Sequence, residues 1–311
     1  MTLFSLAGAF LLDKLHPFDL RKYQLCWLQP YVNFFQRHLN AGELKHGKLA
    51  WSLAVLAPAC GVTAIYWLLY YISPILSWIF CVLVLYAAMG FSQLYSRYSD
   101  IHQALRDSNL DGARDLLSTW LEKSCQELSY DQVARIAIEE ALLATCRALG
   151  LMVWFVSAML IGLGPAGAVF YRLAQFICVR WNGGEHSELS KFGVFARQIY
   201  YWVEWLPVRL TAMTFAVVGN FEDAVYCWRA QAQTWPNVED GIVLASGAGA
   251  IGVRLGLPIL QKNLPFDRPE LGMGDVVDVD YMQSAVGLIW RAAASWMTLL
   301  LLLELVYFVR F

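Results

Sequence analysis

The stretch LAWSLAVLAPACGVTAIYWLLYYI, residues Leu49–Ile72, contains no charged side chain. A helix needs about 20 apolar residues to cross the ~30 Å hydrocarbon core of a bilayer. The stretch therefore predicts a membrane-spanning helix, with Pro58 as a kink. Ser73-Pro74 makes a tight turn, and Ile75–Tyr95 reads as a second span. No Lys or Arg occurs between Lys48 and Arg97. The pair is an αα-hairpin with an uncharged tip, and it decides the fold class: all-α and polytopic, with four to five membrane helices.

The flanks of the hairpin orient it. Asp13–Lys48 and Ser96–Ala148 are both rich in Lys and Arg. The positive-inside rule puts both flanks in the cytoplasm and the Ser73-Pro74 tip outside; acids count for little in that rule. Residues 96–148 read as a cytoplasmic helical insert. Within it, Val133, Ile136, Ala137, Ala141, Ala144 and Ala148 line one stripe of a helix. Arg135 and Glu139 stand four apart on the opposite side and can pair. Glu140 falls on or beside the stripe. It is either an edge acid that reaches water or a buried acid that needs a partner.

Further along, Leu149–Tyr171 reads as the third span, with Gly162, Gly164, Pro165 and Gly167 suited to close packing or a break. Residues 172–203 are amphipathic and aromatic, with a turn at Asn182-Gly183-Gly184. Glu204-Trp205-Leu206-Pro207-Val208-Arg209-Leu210 then leads into a short fourth segment, Leu206–Val218. Pro207 stops a helix or opens one. An arginine at membrane depth costs roughly 2.5–3.5 kcal/mol unless it finds a partner or water. Residues 221–283 are mixed and read as a polar extramembrane segment. Ala285–Phe308 is the last span, marked by Arg291 and Glu304. Glu304 either snorkels to the nearer surface or is a functional intramembrane acid. Met1–Leu12 is apolar but shorter than a full crossing. It lacks the basic flank and cleavage site of a signal peptide, and reads as a partial or interfacial helix.

Composition agrees. The chain is 58% hydrophobic and 15% charged, with a mean hydropathy of +0.46. Soluble domains are about 45–50% apolar and about 25% charged. The net charge of −2 argues against nucleic acid as a partner. The 13 Trp and 15 Tyr suit interfacial anchoring. The cysteines, Cys26, Cys60, Cys81, Cys125, Cys146, Cys178 and Cys227, form neither a disulfide framework nor a zinc pattern. The histidines are dispersed.

Motifs that carry chemistry are few. Gly247-Ala248-Gly249-Ala250-Ile251-Gly252 has the spacing of a phosphate-cradling turn, and Ile242–Ala245 before it has strand character. No βαβ repeat surrounds it, however, and Ala245, Gly249 and Ser246, Ala250 also form a ladder for close helix contact. Asp275, Asp278 and Asp280 have the spacing of hard-cation ligands, or form a solvated acidic linker. His186 beside Glu185 reads as surface. Glu204, Arg209 and Arg254 are hard to place in solvent. Arg254, between Val253 and Leu255, suits either an anion or a buried structural ion pair.

Several blocks, in order, resemble the CobD/CbiB superfamily of bacterial inner-membrane proteins. They are Ala104-Leu105 with Leu110-Asp111-Gly112-Ala113-Arg114, then Ala137-Ile138-Glu139, then Gly164-Pro165-Ala166-Gly167-Ala168 with Tyr171. Trp205-Leu206-Pro207-Val208-Arg209-Leu210, Gly252-Val253-Arg254-Leu255-Gly256 with Pro258, and Arg268-Pro269-Glu270-Leu271-Gly272 complete the series. The resemblance implies a single membrane domain over residues 1–311 and a multi-pass location in the inner membrane. The family's enzyme, adenosylcobinamide-phosphate synthase, joins cobyric acid or its adenosylated form to an aminopropanol phosphate through an amide bond. ATP and Mg²⁺ belong to that reading alone, and otherwise no cofactor and no metal site is expected.

Of the family's acidic positions only Glu139 is kept. The others correspond to Leu143, Ala144 and Arg147, to Gln175–Val179, and to Tyr200-Tyr201. That departure is similar to the AmpE branch of the superfamily. The sequence therefore leads to the expectation of a catalytically diverged membrane protein that senses, scaffolds or regulates. The synthase is the alternative, and a transporter comes third. Candidate functional residues are Glu139, Glu140, Glu204, Arg209, Arg254 and Glu304. Expected partners are the lipid bilayer, an anionic or corrinoid-related small molecule and a membrane protein, with no nucleic acid.

Overall fold

Ser73 and Pro74 break the chain between two long helices, as the sequence predicts. In a computed structural model, which describes residues 2–16, 27–39, 44–182, 187–261 and 264–310, α3 spans Leu44–Ile72 and α4 spans Pro74–Met89. The Ser73 side chain accepts from the Ile75 backbone N–H at 3.3 Å, and Pro74 occupies the first turn, where its missing donor costs nothing. α4 ends at Gly90, in the left-handed region at φ 61°, and α5 resumes over Phe91–Arg106.

The chain folds into two compact units. The first comprises Met1–Gln93 and Gly150–Trp205. It contains α1 (Thr2–Leu15), α2 (Gln29–Leu39), α3, α4, the later part of α7 (Tyr130–Leu160), α8 (Ala166–Asn182) and the first part of α9 (Ser187–Val218). Its core gathers Trp51, Ala54 and Val55 of α3 with Ile177 and Trp181 of α8 and Phe192 of α9. Pro58 lies inside α3 and deprives the Ala54 carbonyl of its helical donor; the Tyr31 hydroxyl supplies one at 3.1 Å. α7 stops where the sequence offers Gly162 (φ 79°) and Gly164 (φ 64°). The carbonyls left over in that turn are met by α3, with Trp67 Nε1 donating to Gly162 at 3.1 Å and Thr63 Oγ1 to Leu163 at 3.1 Å. Any side chain at Gly167 would strike the Trp154 carbonyl, so α7 and α8 pack backbone to backbone there.

The second unit comprises Leu94–Leu149 and Leu206–Phe311. It holds most of α5, α6 (Leu110–Leu121), the early part of α7, the end of α9, α10 (Phe221–Gln231), α11 (Val238–Ile251) and α12 (Val279–Arg310). Asn109, Asn220 and Asn237 cap α6, α10 and α11. A small sheet has the order β4-β1-β5, with β1 (Val253–Leu255) antiparallel to β4 (Leu271–Gly272) and parallel to β5 (Asp275–Val276). β2 (Ile259–Gln261) and β3 (Leu264–Phe266) form a separate antiparallel pair. The Gln231 side chain accepts from the Gly272 N–H at 2.6 Å and donates to its carbonyl at 3.1 Å, which fastens β4 to the end of α10.

Four helices among the described residues are long and apolar enough to cross a membrane: Lys45–Ile72, Pro74–Arg106, Tyr130–Leu160 and Val279–Val306. Leu53, Leu56, Ile65 and Leu68 of α3 and Leu299, Leu301, Leu302 and Leu303 of α12 are exposed, as lipid-facing side chains are. The all-α, polytopic class is thus the observed one, and α1, at 14 residues, is not among these spans.

Several boundaries differ from the sequence reading. The third apolar helix is Tyr130–Leu160, not Leu149–Tyr171. The Val133–Ala148 stripe continues into the apolar run without a break, so the insert and the span share one helix. Leu206–Val218 is the end of α9, and Pro207 sits inside that helix instead of stopping or opening one. Ile242–Ala245 is helical, and the glycine-rich motif forms the last turns of α11, closed by Gly252 in the left-handed region. The close-contact reading is the observed one: a Cβ on Gly249 would lie 2.6 Å from the Asp223 carbonyl. Asn182 ends α8, whereas Gly183, Gly184, Glu185 and His186 lie outside the described residues, as does Cys26. The described cysteines are all free.

Candidate functional site

Two adjacent acids on α7 organise the polar centre of the second unit. Glu139 and Glu140 are consecutive on a helix, so their side chains leave it about 100° apart. Glu139 is buried, at 6% exposure. One of its oxygens accepts the Gly256 backbone N–H at 2.9 Å, and the other accepts Arg268 Nη2 in a close ion pair. Arg268 also lies over the Trp235 ring, 5.0 Å from its centroid. Gly256 has φ 72°, and a side chain there would strike the Pro269 carbonyl, so the loop that brings its N–H to Glu139 requires glycine.

Arg135 lies one turn before Glu139. Both residues are buried, although they lie opposite the apolar stripe, and they attract each other electrostatically. Glu139 directs its bonds to Arg268 and Gly256, while Arg135 Nη2 donates a long bond, 3.4 Å, to the Pro258 carbonyl. Its Nε is buried without a hydrogen-bond partner.

Glu140 faces a second group. Arg147 Nη1 donates to it at 2.7 Å, and its side chain is 19% exposed. Glu140 combines elements of both readings: it is an edge residue that keeps some exposure, and it has a partner in Arg147. Asp240 of α11 is also near; it accepts from Asn237 at 2.9 Å. Burial pushes its carboxyl above the ordinary range, against the opposing pull of Asn237 and Arg147. Beside it, Glu239 faces Arg209 at 3.7 Å, and burial raises its carboxyl more than Arg209 lowers it.

The remaining candidates are dispersed. Arg209 finds Glu239, a partner the sequence reading did not propose. Glu204 accepts from the Tyr200 hydroxyl at 2.9 Å. Arg254 pairs with Glu270 at 3.5 Å, both partly exposed, so its ion pair is not a buried one. Glu304 lies half-buried on α12. Asp275 accepts from the Tyr281 hydroxyl at 2.6 Å, and Asp278 caps α12 by accepting from the Asp280 and Tyr281 N–H groups, which gives both acids structural partners.

Among the described residues no three of His, Cys, Asp and Glu are grouped to hold a metal ion. Glu140 and Asp240, which lie within electrostatic reach of each other, are engaged by Arg147 and Asn237. The described residues therefore do not fit a ready Mg²⁺ cage. Sequence reasoning found Glu139 and Glu140 but not Arg268, Trp235, Glu239 or Asp240. The Asn237 cap was a legible sign that Glu239 and Asp240 fall in the first turn of a helix.

The family profile described as CobD/Cbib protein matches residues 6–289. This chain belongs to that family. Its relatives include the cobalamin biosynthesis protein CobD of Stutzerimonas stutzeri, 32% identical over 302 residues, which covers 96% of each chain. The CobD protein of Chromobacterium violaceum is 34% identical over 227 residues, 73% of this chain and 71% of its own. That of Mycobacterium tuberculosis is 27% identical over 207 residues, 65% and 64%. No solved structure matches. These CobD names give no support to the AmpE-like, regulatory expectation and favour the alternative.

Proposed function

We propose that this CobD/Cbib protein is a multi-pass protein of the bacterial inner membrane that acts in cobalamin biosynthesis. Its reaction is amide formation between cobyric acid, or its adenosylated form, and an aminopropanol phosphate. The observation that carries this reading is the end-to-end likeness to a CobD protein, 96% of both chains. The residues of the second unit suit the chemistry. Amide formation needs the ammonium group of the amino alcohol to lose a proton. Asp240, whose carboxyl is shifted toward neutrality by burial, is suited to take it. Glu139 holds Arg268 in place and fixes the Gly256 backbone beside it. ATP and Mg²⁺ enter this reading as co-reactants that the reaction class implies.

The test is growth of a strain deleted for the synthase, fed cobyric acid and given this gene at normal expression. Restored cobalamin-dependent growth, lost again with Glu139→Gln, is the expected result. No growth from a gene whose product is found in the membrane would refute the reading.

A further inference from the structure

Around Glu139 the charges do not balance. Two guanidinium groups, Arg135 and Arg268, lie close enough to repel each other, and the buried Glu139 carboxylate attracts both. Asp131, the other acid within electrostatic reach of Arg135, is exposed and solvated. Arg135 is 6% exposed, its Nε has no hydrogen-bond partner among the described residues, and its Nη2 donates only a long bond, 3.4 Å, to the Pro258 carbonyl. A buried guanidinium with an idle donor is costly, because the charge has left water while the Glu139 anion that attracts it is bound by Arg268. Arg268 is already oriented by Glu139 and Trp235, and its side chain keeps 12% exposure, so the centre is not sealed. A planar fork of donors is complementary to the tetrahedral oxygens of phosphate. The loop from Gly256 to Pro258 binds both sides of this centre, through its N–H to Glu139 and through its carbonyl to Arg135.

We infer that Arg135 and Arg268 form the seat of a phosphate monoester, with Glu139 as a positioning residue for Arg268. Resting on the proposed function, the bound group is the phosphate of the aminopropanol phosphate. The anion completes the coordination of Arg135 Nε and replaces its long bond to Pro258.

The test uses the full-length protein purified in detergent and titrated with aminopropanol phosphate, inorganic phosphate and unphosphorylated aminopropanol, read by calorimetry. Saturable binding of the two phosphates in competition, without binding of the free amino alcohol, is expected. Arg135→Gln should weaken phosphate binding at least tenfold, and Arg135→Lys, which keeps the charge but not the fork, should fall between. Equal affinity in Arg135→Gln and wild type would overturn the assignment. If Arg135→Gln is not recovered folded, wild-type affinity in Arg135→Lys would overturn it equally. A second arm repeats the titration in nanodiscs containing phosphatidylglycerol. Displacement of phosphate by that lipid, with the same sensitivity to Arg135, would make the seat a headgroup site and overturn the monoester assignment. Arg135-dependent phosphate binding in a protein that fails to support growth on cobyric acid would uphold the seat and defeat the synthase reading.

Discussion

Trp154 donates its indole N–H to the Val203 carbonyl at 3.0 Å. Val203 is the residue whose helical donor Pro207 removes, four positions on. The same arrangement recurs at Pro58, where Tyr31 serves Ala54. Each proline inside a long helix thus has an aromatic donor from a neighbouring helix on the carbonyl it leaves unmet. Trp154→Phe and Tyr31→Phe keep most of the ring volume but leave a carbonyl without its partner. Each should cost about 1–3 kcal/mol. The check is thermal unfolding in detergent; an unchanged melting temperature for both would mean that water already serves these carbonyls.

Arg209 opposes a carboxylate that is 4% exposed, so its removal strands a buried charge. Arg209→Ala should lower stability by about 1–3 kcal/mol, less than a fully buried pair because the guanidinium is 27% exposed and the separation is 3.7 Å. Arg209→Ala combined with Glu239→Gln should regain part of that loss. A double variant as unstable as the sum of the two single ones would show that the residues do not interact.

Glu239 and Asp240 give a pH signature with a definite sign. Both carboxyls are raised by burial above their ordinary values of 4.5 and 3.8. The folded chain therefore holds more protons than the unfolded one in the window that opens at those values and closes at the raised ones. Their contribution to stability is fully present below the window and is lost as pH rises through it. From pH 4 upward the melting temperature of wild type should fall through this window while that of Glu239→Gln with Asp240→Asn stays flatter, the two slopes matching only above it. A steeper decline in the double variant would contradict the sign.

Gly249 lets α10 and α11 touch, since a Cβ there would lie 2.6 Å from the Asp223 carbonyl and 2.9 Å from the Ala224 Cα. Both obstacles are backbone and cannot swing aside. Gly249→Ala should cost about 1–3 kcal/mol, whereas Gly61→Ala, with open space around it, should be close to neutral. Comparison of the two melting temperatures checks the claim.

The orientation inferred from the basic flanks is open to labelling. Ser73→Cys, in a background without native cysteines, should react with an impermeant thiol reagent from outside the cell. Reaction only after lysis would invert the topology.

The hairpin at Ser73-Pro74 was legible because length, hydropathy and a turn signal agree at one place. Glu139 was legible through its block of sequence and Glu140 through its place beside an apolar stripe. The start of the third span was misplaced because the apolar stripe of Val133–Ala148 runs into the apolar segment that follows on the same helix, and hydropathy alone does not show that continuity. Pro207 was misread because the donor that makes it tolerable, Trp154, sits on another helix. Arg268 was missed for the same reason on a larger scale, as its partner lies 129 residues away and no local spacing records that.

That separation also has a meaning in time. Arg135, Glu139, Glu140 and Arg147 leave the ribosome on one helix well before Arg268 has been translated. At about 5–20 residues per second the interval is on the order of 10 s. During it Arg147 can already quiet Glu140, since both belong to the same segment, but Glu139 has neither of its partners until Gly256 is made and lacks Arg268 to the end. A nascent chain stalled before residue 268 would present an acid and an arginine with nothing to hold them, which marks it as incomplete to any quality-control system that reads exposed charge in a membrane helix.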